Sequence, residues 1–530
     1  VENLPTLTDA WISSVKKAER RKLSLTDGMS KPLTADKALT AAWAISHRIR
    51  QISPEQNIGL LLPTSTGGVL CNMATLLAGK TIVNLNYTAS QSALQAAIEQ
   101  AGIETIYTSR RFIEKLSKRN ADVVSVLEGR YLIYLEDLHS QIHFNETFWR
   151  WLAIRVLPAR ILKHICNHTH DSQQTAAILF SSGSEGLPKG VMLSHQNIMA
   201  NLKQISDVVN TQEQDVLMSC LPLFHAFGLT VNQFMPLIEG IPMVCHADPT
   251  DAVGVAKTIA QYRATILCGT STFFRLYAKH PKVHPLMMES LRIVVAGAEK
   301  LNPVVREAFL TRFNKHILEG YGATETTPVA SVNLPDCLDT QYWDLQVGSK
   351  HGSVGMPLPG SSVRIVDPQT FEQLPTGCDG MILIGGPQVM QGYLNNPEKT
   401  DSAIKVIDDS RWYVTGDKGH LDEDGFLFIV DRYSRFAKIG GEMISLGAVE
   451  LATQQVLPEE AEVIAVNVPD DKKGEQIVLL TTTMLDLDTL KKAMLAHHAR
   501  LPENPVTGDE SRDYDTICSA YADAARRWIK

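Results

Sequence analysis

Apolar positions recur along most of this chain in two alternating rhythms: short unbroken runs, and residues spaced four apart. Residues 176–180, 292–295 and 317–321 are apolar runs of strand length, and each leads into a loop of small or polar residues. After the second run, Asn302 and Pro303 supply a helix N-cap and a first-turn proline. Val305, Phe309 and Phe313 then recur at intervals of four, which predicts a helix with one buried face. Strands and helices alternating in this way are the signature of parallel α/β architecture, whose ligands bind beyond the carboxyl ends of the strands. From Val347 to about Val430 the rhythm changes to short strands between turns marked by Gly355, Gly360, Gly377, Gly380, Gly385, Gly386 and Gly392, which predicts a β-rich subdomain. Past Asp431, strands at 463–468 and 476–484 and a helix after Asp488 predict a small α/β module. The expected fold class is therefore multidomain α/β. A large N-terminal domain, 1–430, combines α/β subdomains with the β-rich one, and a small mobile C-terminal α/β domain, 431–530, follows.

Length and composition narrow this picture. A chain of 530 residues is too long for one ordinary core and implies about three or four folding units. Hydrophobic residues at 44% and charged residues at 20% exclude disorder over most of the length. A net charge of −8 argues against a general nucleic-acid binder, which needs a basic surface. A mean hydropathy of −0.06 excludes a polytopic membrane protein. The cysteines at 71, 166, 220, 245, 268, 337, 378 and 518 show no CxxC or metal-finger spacing and read as buried free thiols in a reducing compartment.

Two segments invite a membrane reading. Residues 56–79 carry no charge, but Pro63, Gly67 and Gly68 interrupt them, so a buried strand at 58–62 and a helix at 69–77 fit better. Residues 148–165 mix Trp149, Trp151, Leu152, Ile154 and Ile161 with Arg150, Arg155, Arg160 and Lys163, a combination suited to a membrane surface. Against it, Pro158 interrupts the segment and the charges do not share one helical face, so an ordinary charged surface helix stands as the alternative.

Four short motifs could carry chemistry. Ser181-Ser182-Gly183-Ser184-Glu185-Gly186-Leu187-Pro188-Lys189-Gly190 follows a buried strand; its amides and hydroxyls could wrap phosphate oxygens, with Lys189 adding positive charge. It is not a Walker A loop, because Gly190 stands where Ser or Thr should follow the lysine. Tyr321-Gly322-Ala323-Thr324-Glu325-Thr326 sets a hydroxyl beside a carboxylate at a strand end, which suits a phosphate and its Mg²⁺, although Thr-Glu also caps helices. In Tyr413-Val414-Thr415-Gly416-Asp417 the aspartate could take a ribose diol, or close a simple turn. The last motif runs from Asp431-Arg432-Tyr433-Ser434 to Lys438-Ile439-Gly440-Gly441-Glu442 at the expected domain boundary, where a solvated linker is the plain alternative. His225 has no neighbouring carboxylate in sequence, so a packed histidine beside a cleft is favoured over a catalytic one. GxSxG, HExxH and GxGxxG are all missing, which leaves hydrolase, metalloprotease and dinucleotide readings without their parts.

Taken in this order, the four motifs resemble the adenylate-forming superfamily of acyl-CoA synthetases, luciferases and nonribosomal-peptide adenylation domains. Within it, Asn86-Tyr87-Thr88-Ala89, Thr108-Ser109-Arg110-Arg111-Phe112, Gly269-Thr270-Ser271-Thr272-Phe273 and residues 221–230, 294–300 and 436–446 look most like the acyl-ACP synthetase half of bacterial bifunctional 2-acylglycerophosphoethanolamine acyltransferase/acyl-ACP synthetase. The resemblance spans about residues 5 to 495. It implies that a long-chain fatty acid attacks the α-phosphorus of ATP, and that the phosphopantetheine thiol of acyl carrier protein then takes the acyl group, feeding lysophospholipid reacylation. The implied place is the bacterial cytoplasm, at the cytoplasmic face of the inner membrane.

The same resemblance implies roles for single residues. Ser181, Ser182, Gly183, Ser184, Gly186 and Lys189 would surround the β- and γ-phosphates. Gly297, Ala298 and Glu299 would line the adenine side, with Tyr321 stacked on the base. Thr324 would hold the α-phosphate and Glu325 the Mg²⁺. Asp417, assisted by Arg432, would bind the ribose, and His225 and Phe227 would border the acyl pocket. Ser434, where the family usually has Asp or Lys, would be the hinge that brings Lys438 to the thiol channel.

One departure puts the first half-reaction in doubt. Beyond about residue 499 the family's Gly-rich segment with its catalytic lysine is not matched, and the only lysine after Leu501 is Lys530. Losing such a preorganised donor costs on the order of 10²–10³ in rate. Two alternatives therefore stay open: a fatty acyl-CoA ligase, and an adenylate-binding module with little turnover. Docking of an acidic carrier protein on a chain of net charge −8 would need local positive charge, for which Lys491, Lys492, Arg500, Arg432 and Arg435 are candidates.

Overall fold

The computed structural model describes residues 4–18, 22–28, 30–119, 124–181, 188–439, 442–454, 457, 461, 463–470 and 474–482. The chain divides into two compact units. One comprises Val1–Arg364, Leu383–Thr415 and Leu421–Phe428; the other comprises Ile365–Ile382, Gly416–His420 and Ile429–Lys530.

The first unit holds two large sheets. The eight-stranded one runs in the order Leu25–Thr26, Met243–Cys245, Leu217–Ser219, Ile266–Gly269, Ile293–Ala296, Leu318–Gly322, Val329–Val332 and Met356–Pro357. Its first six strands are parallel, and Val329–Val332 then runs antiparallel to both of its neighbours, Leu318–Gly322 and Met356–Pro357. The seven-stranded sheet runs Gly392–Tyr393, Lys189–Ser194, Thr175–Ser181, Thr81–Asn84, Asn57–Leu61, Thr105–Thr108 and Tyr131–Tyr134. It too is parallel except at one edge, where the first two strands pair antiparallel. The α/β class is therefore as the alternating pattern predicts. The three apolar runs are strands, but the first belongs to the seven-stranded sheet and the other two are neighbours in the eight-stranded one.

Local signals position the helices as expected. Asn302 caps Pro303–Phe313 by accepting from the Val304 amide at 2.8 Å, and the helix buries Val305, Phe309 and Phe313. The uncharged stretch is the strand Asn57–Leu61 followed by the helix Thr66–Leu77, capped by the Ser65 hydroxyl and buried almost throughout. A helix apolar all round must be covered on all sides, and this one lies in the largest hydrophobic cluster. Among the described residues no helix is long and apolar enough to cross a membrane. Cys71, Cys166, Cys220, Cys245 and Cys268 are buried free thiols, and burial pushes Cys71, Cys166, Cys220 and Cys268 up to about 12. Cys337 and Cys378 are exposed instead, the former at the start of a solvent-facing hairpin, Cys337–Asp339 with Asp344–Gln346.

His195, the first residue of the helix His195–Val209, is 1% exposed, and its Nδ1 accepts from the Leu7 amide at 3.2 Å. Burial lowers its pKa from the ordinary 6.5 to about 4, so the folded protein holds a neutral ring where the unfolded chain takes up a proton. Stability is therefore expected to fall as pH drops from 6.5 toward 4, by up to about 3 kcal/mol from this group. Urea midpoints for the wild type and His195→Gln check this, the variant giving the flatter slope over that window.

In the second unit, Glu442–Ser445, Phe436–Ile439, Gly474–Thr481 and Val463–Asp470 form a four-stranded antiparallel sheet in that order. The two strands expected at 463–468 and 476–484 are thus one hairpin; the helix expected after Asp488 lies outside the described residues. Glu450, on the helix Leu446–Gln454, ties this unit together by accepting from Arg435 at 2.5 Å and from the Ala465 amide at 2.8 Å.

Candidate functional site

The register of the eight-stranded sheet brings three loops to one edge. Gly269 lies opposite Ala296, and Ala296 opposite Glu319, so the loops after Gly269, Ala296 and Gly322 open together beyond the carboxyl ends of adjacent parallel strands. The first two are joined directly, the Gly297 amide donating to the Gly269 carbonyl at 3.1 Å. Ala298 has φ 69°, which turns the chain sharply there. Glu299 then accepts from the Thr272 amide at 2.5 Å, at the start of the helix Ser271–Lys279, where the helix dipole favours a carboxylate. Its contact in the fold is thus a helix terminus, while Gly297 lies under the Phe227 ring: a Cβ at Gly297 would come within 3.1 Å of Phe227 Cε1.

The third loop is a single 3₁₀ turn, Thr324–Thr326, between antiparallel strands. Thr326 holds it: its Oγ1 accepts from the Ala323 amide at 2.9 Å and donates to the Pro328 carbonyl at 2.8 Å. Glu325 is 8% exposed, its carbonyl accepting from the Met390 amide at 2.8 Å and its Oε1 from the Tyr393 hydroxyl at 2.8 Å. Burial first, and then the Glu325 charge, raise the Tyr393 pKa, so the phenol stays a donor. Thr324, beside Glu325, is half-buried.

Tyr393 links this turn to the phosphate-loop motif. It lies on the edge strand that pairs with Lys189–Ser194, opposite Val191, and Lys189 Nζ stands 5.7 Å from its ring centroid. Lys189 in turn faces Ser181 across the antiparallel ladder. Ser181 and Lys189 therefore form the base of a loop joining two antiparallel strands. Ser182, Gly183, Ser184 and Gly186 lie outside the described residues. The turn carrying Thr324 and Glu325, from one sheet, thus meets the base of the Ser/Gly loop, from the other, through a residue no short motif pointed to. Its local signal, Gly392 before an aromatic, reads only as a strand turn.

His225 is accessible to solvent, yet surrounding protein desolvates it enough to lower its pKa, the combination expected of a concave wall. It lies against Phe224 at 4.5 Å between ring centroids; Phe224 in turn meets Tyr87 at 4.9 Å, and Tyr87 meets Phe112 at 5.0 Å. Phe227 opens a π-helix, Phe227–Phe234, a rare form that is frequent at functional sites.

The remaining candidates belong to the second unit. Asp417, 5% exposed, pairs with Arg432 Nε at 3.0 Å, while the Arg432 side chain is largely exposed. Ser434 is exposed in a one-turn 3₁₀ helix, Tyr433–Arg435. Lys438 lies on the strand Phe436–Ile439, its side chain outside the described residues, as are Lys491, Lys492, Arg500 and everything past residue 482.

Chemically, the first-unit site sets a lysine, a hydroxyl and a buried carboxylate at sheet ends, a set suited to phosphate oxygens and one hard cation. Glu325 fits Mg²⁺, which is usually held by one or two carboxylates together with substrate phosphates and water. Among the described residues there is no group of three or more His, Cys, Asp or Glu side chains that could hold a metal ion by themselves.

Comparison with known proteins agrees in scale with this arrangement. The family model described as AMP-binding enzyme matches residues 14–394. A long-chain-fatty-acid–CoA ligase of Escherichia coli O6:H1 is 27% identical over 446 residues, 79% of this chain and 75% of that protein. The 4-coumarate-CoA ligase 1 of Narcissus pseudonarcissus is 31% identical over 461 residues, 85% of this chain and 80% of that protein. Among solved structures, ATP-bound MatB from Rhodopseudomonas palustris shares the fold, with a TM-score of 0.74 at 23% identity over 97% of this chain and 99% of that one.

Proposed function

The chain belongs to the AMP-binding enzyme family, and from that premise we propose that it is an ATP-dependent ligase for long-chain fatty acids that passes the acyl group to the phosphopantetheine thiol of acyl carrier protein. The observation that carries the ligase reading is the meeting of Lys189, Tyr393 and Glu325 at the ends of two sheets. A free carboxylate is a poor acyl donor because its charge is too stable. The fatty carboxylate attacks the α-phosphorus and pyrophosphate leaves; the thiol then attacks the acyl carbon and AMP leaves.

In this reading Lys189 and Ser181, with Ser182, Gly183, Ser184 and Gly186, neutralise and orient the β- and γ-phosphates. Thr324 donates to the α-phosphate as charge gathers on it. Mg²⁺ held by Glu325 would neutralise phosphate charge. Gly297, Ala298 and Tyr321 take the base, Asp417 with Arg432 the ribose, and Glu299 shapes the adenine side by fixing the start of Ser271–Lys279. His225 and Phe227 border the acyl group, and Lys438 serves the thiol step. Most of this catalysis is positioning and charge stabilisation.

The relatives favour a second reading on one point, the acceptor: those of Escherichia coli and Narcissus are named as CoA ligases. ATP–pyrophosphate exchange with a long-chain fatty acid and Mg²⁺, followed by product formation with CoA and with holo-carrier protein, separates the possibilities. The proposal expects exchange that depends on fatty acid, and faster acyl transfer to carrier protein. Faster transfer to CoA would move the assignment to a CoA ligase. ATP binding without exchange would overturn the ligase and leave an adenylate-binding module.

A further inference from the structure

The segment of mixed aromatic and basic residues folds as two helices, Phe144–Val156 and Ala159–Cys166, with Pro158 capping the second. The first is built inside out. A surface helix ordinarily turns its apolar stripe inward and its charges to water. Here the charged side chains face the protein: Glu146 accepts from Arg48 at 3.3 Å and from Arg150 at 3.2 Å, and Asp36 accepts from Arg155 at 2.8 Å and from the Trp151 indole at 3.1 Å. Of its thirteen residues only Ile154 is buried. Its outer face carries Phe144, Phe148, Trp149 and Val156, exposed by 80%, 40%, 65% and 69%. At about 100° per residue these positions span an arc of about 140°, which also holds Asn145, Leu152 and, near one border, Arg155, whose guanidinium turns back to Asp36. The second helix buries Leu162 and Cys166 and exposes Ile161 and Ile165, with Arg160 and His164 beside them.

Contiguous apolar exposure of this kind marks an interaction surface. The charge around it says what kind. Between Ile142 and His170 the sequence has four Arg or Lys against the single Glu146, in a chain of net charge −8. Glu146 is committed to Arg48 and Arg150, and among the described residues Arg160 and Lys163 have no ion pair. The platform is fixed, since Lys16 Nζ donates to the Ile154 carbonyl at 2.8 Å and Arg155 is held by Asp36.

We propose that this face docks on an anionic lipid bilayer, with the aromatic side chains seated at the headgroup boundary and Arg160 and Lys163 on the lipid phosphates. Aromatic and aliphatic side chains rimmed by cations are what a helix lying in that interface requires. A second copy of the chain is the poorer occupant, because a symmetric contact over this face would bring the Arg160 and Lys163 of both copies into one interface with no acidic partner on it among the described residues. The inference deepens the ligase reading by naming the phase from which an apolar acid would be drawn. Its test needs no turnover, so it stands or falls apart from that reading.

The full chain is mixed, without ATP, with vesicles of phosphatidylcholine alone or with about 30% phosphatidylglycerol, and separated by flotation. Wild type is expected to float with the anionic vesicles. Phe148→Ser with Trp149→Ser should lose binding to both by about tenfold or more, and Arg160→Glu with Lys163→Glu should lose mainly the anionic preference. Quenching of Trp149 fluorescence by brominated lipid, absent in Trp149→Phe, would place the ring at the boundary. A wild type that stays with the soluble fraction overturns the proposal. So does an aromatic double variant that binds as wild type, or one that converts a dimer to a monomer in sedimentation velocity.

Discussion

Glu325→Gln is expected to lower fatty-acid-dependent ATP–pyrophosphate exchange by about 10²–10³ while leaving the folded protein close to wild-type stability. The substitution keeps the shape and an oxygen able to accept from Tyr393, whose hydroxyl lies 2.8 Å from Oε1, and it removes only the charge. If Glu325 served merely to anchor Tyr393, glutamine would suffice and exchange would survive. If it supplies the negative oxygen for Mg²⁺, the defect should be accompanied by a rightward shift in the Mg²⁺ concentration needed for half-maximal exchange. Tyr393→Phe separates the roles further. It leaves the carboxylate in place without its buried donor, so a loss of a few-fold is expected, with Mg²⁺ dependence little moved. Exchange in Glu325→Gln within about threefold of wild type would remove Glu325 from the chemistry.

What was legible in the sequence follows from how far each interaction reaches along the chain. The helix Pro303–Phe313 could be read because its cap and its apolar spacing lie within a dozen residues of each other. Thr324 and Glu325 could be singled out because a hydroxyl and a carboxylate stand together at a strand end. Tyr393 could not, since its partner is 68 residues away and their meeting depends on two sheets. Nor did the Ser/Gly motif disclose that its strand turns back, putting Lys189 opposite Ser181 on an antiparallel ladder. The helix Phe144–Val156 illustrates the same limit. Its charges share no single face in the sequence, because Glu146 and Arg155 answer Arg48 and Asp36 on a distant helix, Ala35–Ile52.

Gly322→Ala is expected to cost about 10² or more in exchange, although it alters no side chain with chemistry of its own. A Cβ at Gly322 would lie 1.7 Å from the Pro328 carbonyl oxygen and 2.8 Å from its carbon. Backbone cannot yield as the tip of a flexible side chain does, so either this strand or the segment after the turn must move. The same Pro328 oxygen accepts from Thr326 Oγ1 at 2.8 Å, and Thr327 Oγ1 donates to the Gln388 carbonyl at 2.6 Å. Moving Pro328 therefore loosens the clasp on the 3₁₀ turn and shifts Thr324 and Glu325 together. A misplacement near 1 Å is enough for a hundredfold loss, whereas the overpacking itself should cost only about 1–3 kcal/mol of stability. Gly320→Ala is the matched control on the same strand, since its nearest contacts, the Ser331 carbonyl oxygen and Val332 Cγ2, lie at 3.4 Å. Exchange and urea unfolding measured on both variants give the answer. The expected pattern is a folded but nearly inactive Gly322→Ala beside a Gly320→Ala with most of its activity. Near-wild-type exchange in Gly322→Ala would mean that the turn is not where the α-phosphate is held.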